Sequence, residues 1–114
     1  MRTLIIGDVH LPFEHAGYLQ FCLDIYDSWN CDTVVFIGDI VDAHALSFWD
    51  HDPNGMSAEE EAVQALERLV EWKRAFRIAK VCIGNHDERH YRKAKKAGIP
   101  DRYLKTYNEI YSTP

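Results

Sequence analysis

Val34-Val35-Phe36-Ile37-Gly38-Asp39-Ile40-Val41-Asp42 decides the fold. A short apolar run rich in β-branched residues and cut off by glycine reads as a strand buried on both faces, the habit of a parallel sheet. The same pattern occurs twice more, in Leu4-Ile5-Ile6-Gly7-Asp8 and in Val81-Cys82-Ile83-Gly84-Asn85. Three parallel strands follow. Between the first two, Leu19, Cys22, Leu23 and Tyr26 fall at i, i+3, i+4 and i+7 and predict a helix over 16–28. Between the second and third, Ser57 and Glu60 form a capping box, and Val63, Leu66, Leu69, Val70 and Lys73 continue at helical spacing to about Arg74. The order is β-α-β-α-β, an α/β fold.

Right-handed crossovers bring the C-terminal ends of all three strands to one sheet edge, where open α/β folds bind ligands. A further helix is predicted over 88–97, closed by Gly98 with Pro100 beyond, and residues 101–114 are expected to add a short helical turn. About seventeen residues, 40–56, separate the second strand from its helix, more than a compact domain usually leaves without a function. A short helix over 43–49 is expected there.

The composition sets the class around this frame. In 114 residues, 46% hydrophobic and 27% charged with only six Gly and four Pro, collagen-like, disordered and low-complexity readings are excluded, leaving one domain over 1–114. The longest apolar run, Val34 to Ile37, is far below the ~20 residues of a membrane span, and the N-terminal run is too short for a signal peptide. A cytoplasmic protein with no membrane contact is expected. Cys22, Cys31 and Cys82 are odd in number and lack any Cys-x-x-Cys spacing, so they read as reduced, buried small hydrophobes.

The formal charge of −5 excludes a general polyanion binder. Charge is nevertheless segregated. Residues 86–105 hold seven Lys or Arg against three acids, a local +4, leaving the remainder at −9. Arg89, Arg92, Lys93 and Lys96 fall on one helix face, which reads first as solvated surface and otherwise as a guide for a phosphate backbone, hence a nucleic-acid contact. Phe48 and Trp49 read as core residues before base-stacking platforms.

Each strand run ends in a glycine followed by an oxygen-bearing side chain, in Gly7-Asp8, Gly38-Asp39 and Gly84-Asn85. One Asp after a strand is commonly a helix cap or a turn residue. Three in register point to a site. Asp8 and His10, two apart, project to the same side if that segment is extended. Hard oxygens with an imidazole suit Mn²⁺, Fe, Zn²⁺ or Mg²⁺.

Asp8-x-His10, Gly38-Asp39-x-x-Asp42 and Gly84-Asn85-His86-Asp87 resemble, in order, spacing and strand context, the first three motifs of the calcineurin-like metallophosphoesterases, small phage and bacterial members above all. The resemblance implies about half of an αββα sandwich and a phosphomonoesterase or phosphodiesterase using two divalent ions, Mn²⁺ first among them, with a bridging hydroxide as nucleophile. It places Asp8 and His10 on the first metal, Asp39 between both and Asn85 on the second, with His86 as the catalytic imidazole and Asp42 orienting it. Asp87 reads as the cap of the next helix in preference to a hold on the His86 loop.

The pattern also departs from the family. The Gly-His-x-His word that completes the second metal's ligands is missing, and Ala43 stands where the phosphatase branch carries arginine. Truncation, self-association into a homo-oligomer, or substitution by His15, His44 or His51 would account for the deficit, in that order. Truncation predicts one sheet face or edge left incompletely covered, with apolar surface exposed and a tendency to oligomerise or aggregate. His44, near Asp42, is expected to contact substrate together with Arg89 and Arg92. The alternative function is a catalytically incomplete metal-binding half-domain acting through a partner chain. A dinucleotide-binding protein is disfavoured because no Gly-x-Gly-x-x-Gly follows the first strand.

Overall fold

The computed structural model describes residues 1–50 and 52–113. Its order is β1 (Thr3–Ile6), α1 (Tyr18–Ser28), β2 (Thr33–Phe36), a 3-10 turn (His44–Leu46), α2 (Ala58–Ala75), β3 (Ala79–Val81), α3 (Arg89–Lys96), a second 3-10 turn (Asp101–Tyr103) and α4 (Tyr107–Tyr111). The three strands form one parallel sheet in the order β1-β2-β3, with Ile6 opposite Phe36 and Phe36 opposite Val81. The α/β architecture, a three-stranded parallel sheet with its helices, corresponds to half of a metallophosphoesterase fold.

Successive right-handed crossovers in the order 1-2-3 place both connecting helices on the same side of the sheet. The core lies on that side. Tyr18 of α1 meets Trp72 of α2 edge to face at 5.5 Å between ring centres, and Phe36 of β2 meets Trp72 at 6.1 Å. Ile6, Val34 and Phe36 are buried beneath these rings. The opposite face carries Ile5, 63% exposed, and Val35, followed just past β2 by Ile37, 55% exposed. Burial on both faces, expected from the unbroken apolar runs, is therefore not found, whereas one uncovered apolar face is. Cys82 is exposed rather than buried; only Cys22 sits in the core, where burial pushes its thiol up to about 11.

β3 begins two residues earlier than its apolar run suggests, so Ile83 lies beyond the strand. The capping box of α2 is present, with Glu60 N–H donating to the Ser57 hydroxyl at 3.1 Å. The buried stripe of α2 is nevertheless Glu61, Ala65, Leu69 and Trp72, while Val63 and Val70 are each 43% exposed. Trp72 sets this phase, because its ring has to fill the space between α1 and Phe36. Gly98, at φ +77°, ends α3 as expected, with Ile99 N–H returning to the Ala94 carbonyl at 2.9 Å. The expected short helix over 43–49 is the single 3-10 turn, and the tail holds α4 with its own Thr106–Glu109 capping box.

Candidate metal centre

The loops that leave β1, β2 and β3 interlock at the C-terminal edge of the sheet. His10 N–H donates to the Asp39 carbonyl at 3.0 Å, and Leu11 N–H to the Ile40 carbonyl at 2.8 Å, so the first two loops continue side by side past the strands. The third is locked to the second by close backbone approach. A methyl group on Gly84 would lie 2.4 Å from the Asp39 nitrogen, and one on Gly38, at φ +113°, would lie 2.7 Å from the Gly84 nitrogen. Only glycine permits this contact.

Asp87 holds the interlock from inside. Buried to 1%, its carboxylate accepts backbone N–H groups from Asp39 at 2.8 Å, Val41 at 3.1 Å and Gly84 at 2.8 Å. Burial raises its pKa, and the three N–H groups oppose that rise. Asp87 is thus not the cap of α3, which begins after Glu88. It pins the His86 loop, and the physical reason is that these N–H groups have no other partner at the point where the strands stop pairing.

Asp8, His10 and Asp39 all occupy the left-handed region, at φ +52°, +54° and +53°. Such conformations are strained for residues with a Cβ and concentrate at functional sites. Asp8 and His10 are consequently not in an extended segment. They converge through these kinks, with His10 Nε2 3.5 Å from Asp8 Oδ1. Donor atoms of Asp8, His10 and Asp39 lie within 4.8 Å of one another, and so do those of His10, Asp42 and His86. The two groups share His10.

Asp42 stands between the imidazoles. Its Oδ1 is 2.7 Å from His10 Nδ1 and 3.4 Å from His86 Nδ1, and its backbone carbonyl is 3.1 Å from His86 Nδ1. A carbonyl only accepts, so His86 donates from Nδ1–H and Nε2 is left as an acceptor. The same logic at His10 makes Nδ1–H the donor to Asp42 and turns Nε2 toward Asp8. Asp42 therefore orients two histidines, and the closer one is His10. The rings of His10 and His86 meet edge to face at 4.5 Å.

Asp39 holds His86 directly, since His86 N–H donates to Asp39 Oδ1 at 2.8 Å. Asn85 lies in the same loop with its side chain exposed, its backbone carbonyl accepting from Arg92. Arg89, expected first on a solvated face, is turned inward: its Nη1 donates to the Asp42 carbonyl at 2.8 Å and its Nη2 lies 3.4 Å from His86 Nε2. His44 Nδ1 is 3.9 Å from Asp42 Oδ2 and borders a cleft of about 330 Å³ that Phe13, Asp52, Met56 and Glu61 also line. His15 caps a turn by accepting Gly17 N–H and takes no part in this cluster. His51 lies outside the described residues. Phe48 and Trp49 are 57% and 78% exposed, so the expectation that they pack in the core fails.

Two contributors escaped the sequence reading. Tyr18, whose hydroxyl donates to the Gly7 carbonyl at 2.6 Å, ties α1 to the first loop. Glu61 is buried beneath the His44 turn, where its Oε1 accepts Ala45 N–H at 3.3 Å. The run Glu59-Glu60-Glu61 reads as dipole-matched surface, and only the phase of α2 singles out the third.

The donor set fits divalent cations: carboxylate oxygens and imidazole nitrogens converge at the end of three strands, on conformations strained enough to need a reason. A family model described as calcineurin-like phosphoesterase matches residues 1–114. The chain belongs to the calcineurin-like phosphoesterase family, whose members hydrolyse phosphoesters with divalent metals. No curated protein and no solved structure matches it. Among the described residues, no helix is long and apolar enough to cross a membrane.

Proposed function

We propose that this chain hydrolyses phosphomonoesters or phosphodiesters at a dinuclear centre held by Asp8, His10, Asp39 and Asn85, with His86 and Asp42 as the catalytic pair beside it. The observation that supports it most is the convergence of Asp8, His10 and Asp39 donor atoms within 4.8 Å at one sheet edge, next to the Asp42-oriented His86. Two bound cations would make a shared water nucleophilic near neutral pH and neutralise phosphoryl charge during in-line attack. The residues supply the rest. Asp39 joins the two groups through its contact with the His86 loop. His86, oriented through Nδ1–H by Asp42, would deliver a proton to the leaving oxygen from Nε2 when both ring nitrogens carry protons. Arg89 and His44 stand where a phosphoryl oxygen would need positive or donor partners. Mn²⁺ is the first choice of metal, with Fe, Zn²⁺ and Mg²⁺ compatible with the same donors. The exposed thiol Cys82 accords with a reducing, cytoplasmic setting.

The uncovered sheet face and the Asp8 side chain, 78% exposed, favour one second reading: a half-domain that binds metal and completes its site with a second copy or a partner chain. Calorimetric titration with Mn²⁺ and hydrolysis of an aryl phosphodiester separate the two. The enzyme reading predicts two sites per chain and turnover that falls at least ~100-fold in Asp39→Asn. One weak site without turnover would establish the half-domain instead.

A further inference from the structure

Four cations of α3 stand beside the centre, and three of them have no acidic partner among the described residues; Arg89 alone reaches one, with Nη1 4.0 Å from Asp42 Oδ2. Arg89, Arg92, Lys93 and Lys96 fall within about 100° of arc on the helix. Arg89 enters the centre at one end of this stripe, through its contacts with Asp42 and His86. Arg92, Lys93 and Lys96 are exposed, and among the described residues no carboxylate lies within ion-pair distance of any of them. The remaining chain is strongly acidic. An ordinary solvated helix in such a protein would be expected to find acidic neighbours.

The long loop is folded onto this stripe. Lys96 Nζ lies 4.7 Å and Lys93 Nζ 5.8 Å from the centre of the Phe48 ring, which fixes the loop against α3 and spaces the two ammonium groups. The next residue, Trp49, is left 78% exposed. An unshielded indole beside a row of unpaired cations is the combination with which proteins take extended nucleic-acid strands, the cations following the phosphates and the ring stacking on a base. From Arg89 to Lys96 the helix rises about 10 Å, enough to follow more than one phosphate at the ~3.4 Å axial spacing of a stacked strand.

We infer that the α3 stripe and Trp49 form a docking surface for single-stranded nucleic acid, and that it delivers a backbone phosphodiester to the centre at Arg89. The inference rests on the phosphoester-hydrolase reading and names the substrate class of that site. Charge complementarity selects the occupant: a polyanion with planar bases satisfies both the cations and the indole, whereas an acidic peptide satisfies only the cations.

The test reads binding apart from turnover. A fluorescein-labelled oligo(dT) of about twelve nucleotides is titrated with the protein in EDTA at low salt, and fluorescence anisotropy is followed. Binding is expected, with Lys93→Glu/Lys96→Glu weakening it at least ~10-fold and flattening the log–log salt dependence by about 1.4. Arg74→Glu/Lys80→Glu makes the same change of charge on α2 and β3 and is expected to weaken binding less than ~3-fold. Trp49→Ala, which alters no charge, should cost roughly 5–100-fold. Absent binding, equal losses in the two charge-reversal pairs, an inert Trp49→Ala or preference for a duplex of the same length would each overturn the inference. Thermal melts of the variants show whether a loss comes from unfolding. The two readings fail separately: oligonucleotide binding without aryl phosphodiester turnover removes the hydrolase, and turnover without oligonucleotide binding removes the docking surface.

Discussion

At the scale of single residues, the centre depends on side chains with two duties. Asp42 orients both His10 and His86, and Asp39 offers one oxygen to the His86 backbone while facing Asp8 and His10. Glu61 is a different case. Burial, with the Asp42 charge adding to it, holds its carboxyl above the ordinary glutamate range against the pull of the Ala45 N–H. A carboxyl whose folded pKa is raised stabilises the fold below its unfolded value of about 4.5 and loses that contribution as pH rises through the folded value. Glu61→Gln, which keeps an acceptor and does not titrate, is therefore predicted to melt increasingly above the wild type as pH is raised from 4 to 7 in calorimetric scans. A melting difference that stays constant with pH would contradict this assignment. That Asp8, His10, Asp39, Asp42 and His86 come together was legible because glycine-acid or glycine-amide words recur at equivalent strand ends. The sharing of Asp42 was not legible, since it arises from a contact between loops some forty residues apart.

At the scale of elements, three strand-to-loop junctions matter more than the helices. Gly38 and Gly84 touch backbone to backbone, and Asp87 closes the junction with three hydrogen bonds. Gly84→Ala should force the Asp39 loop away, costing about 1–3 kcal/mol in urea unfolding and lowering turnover ~100-fold through displacement of Asp39. An active, equally stable Gly84→Ala would show that the junction tolerates separation. The strands, the α2 cap and the stop of α3 were legible from local signals such as β-branched runs, Ser57 with Glu60, and Gly98. The phase of α2 was not, because the bulk of Trp72 outweighs the periodicity of Val63 and Val70. The convergence of Asp8 and His10 was anticipated for a wrong reason: left-handed kinks at both residues achieve what an extended segment was expected to provide.

At the scale of the whole molecule, the consecutive strand order puts α1 and α2 on one face and leaves Ile5, Val35 and Ile37 on the other. Apolar surface of this kind favours pairing with another chain. Sedimentation velocity should show concentration-dependent self-association that Ile5→Lys weakens by about 10-fold or more; a wild type that stays monomeric throughout would contradict it. That uncovered face was anticipated from the missing downstream motif, although local patterning alone suggested strands covered on both sides. The proposed chemistry requires that the three loops trap cations together. A crystal grown with Mn²⁺ and measured at a wavelength where manganese scatters anomalously tests this most directly. Two peaks are predicted, one among Asp8, His10 and Asp39 and one between Asp39 and Asn85. A map in which manganese binds elsewhere on the molecule and leaves these side chains without a peak would contradict the account.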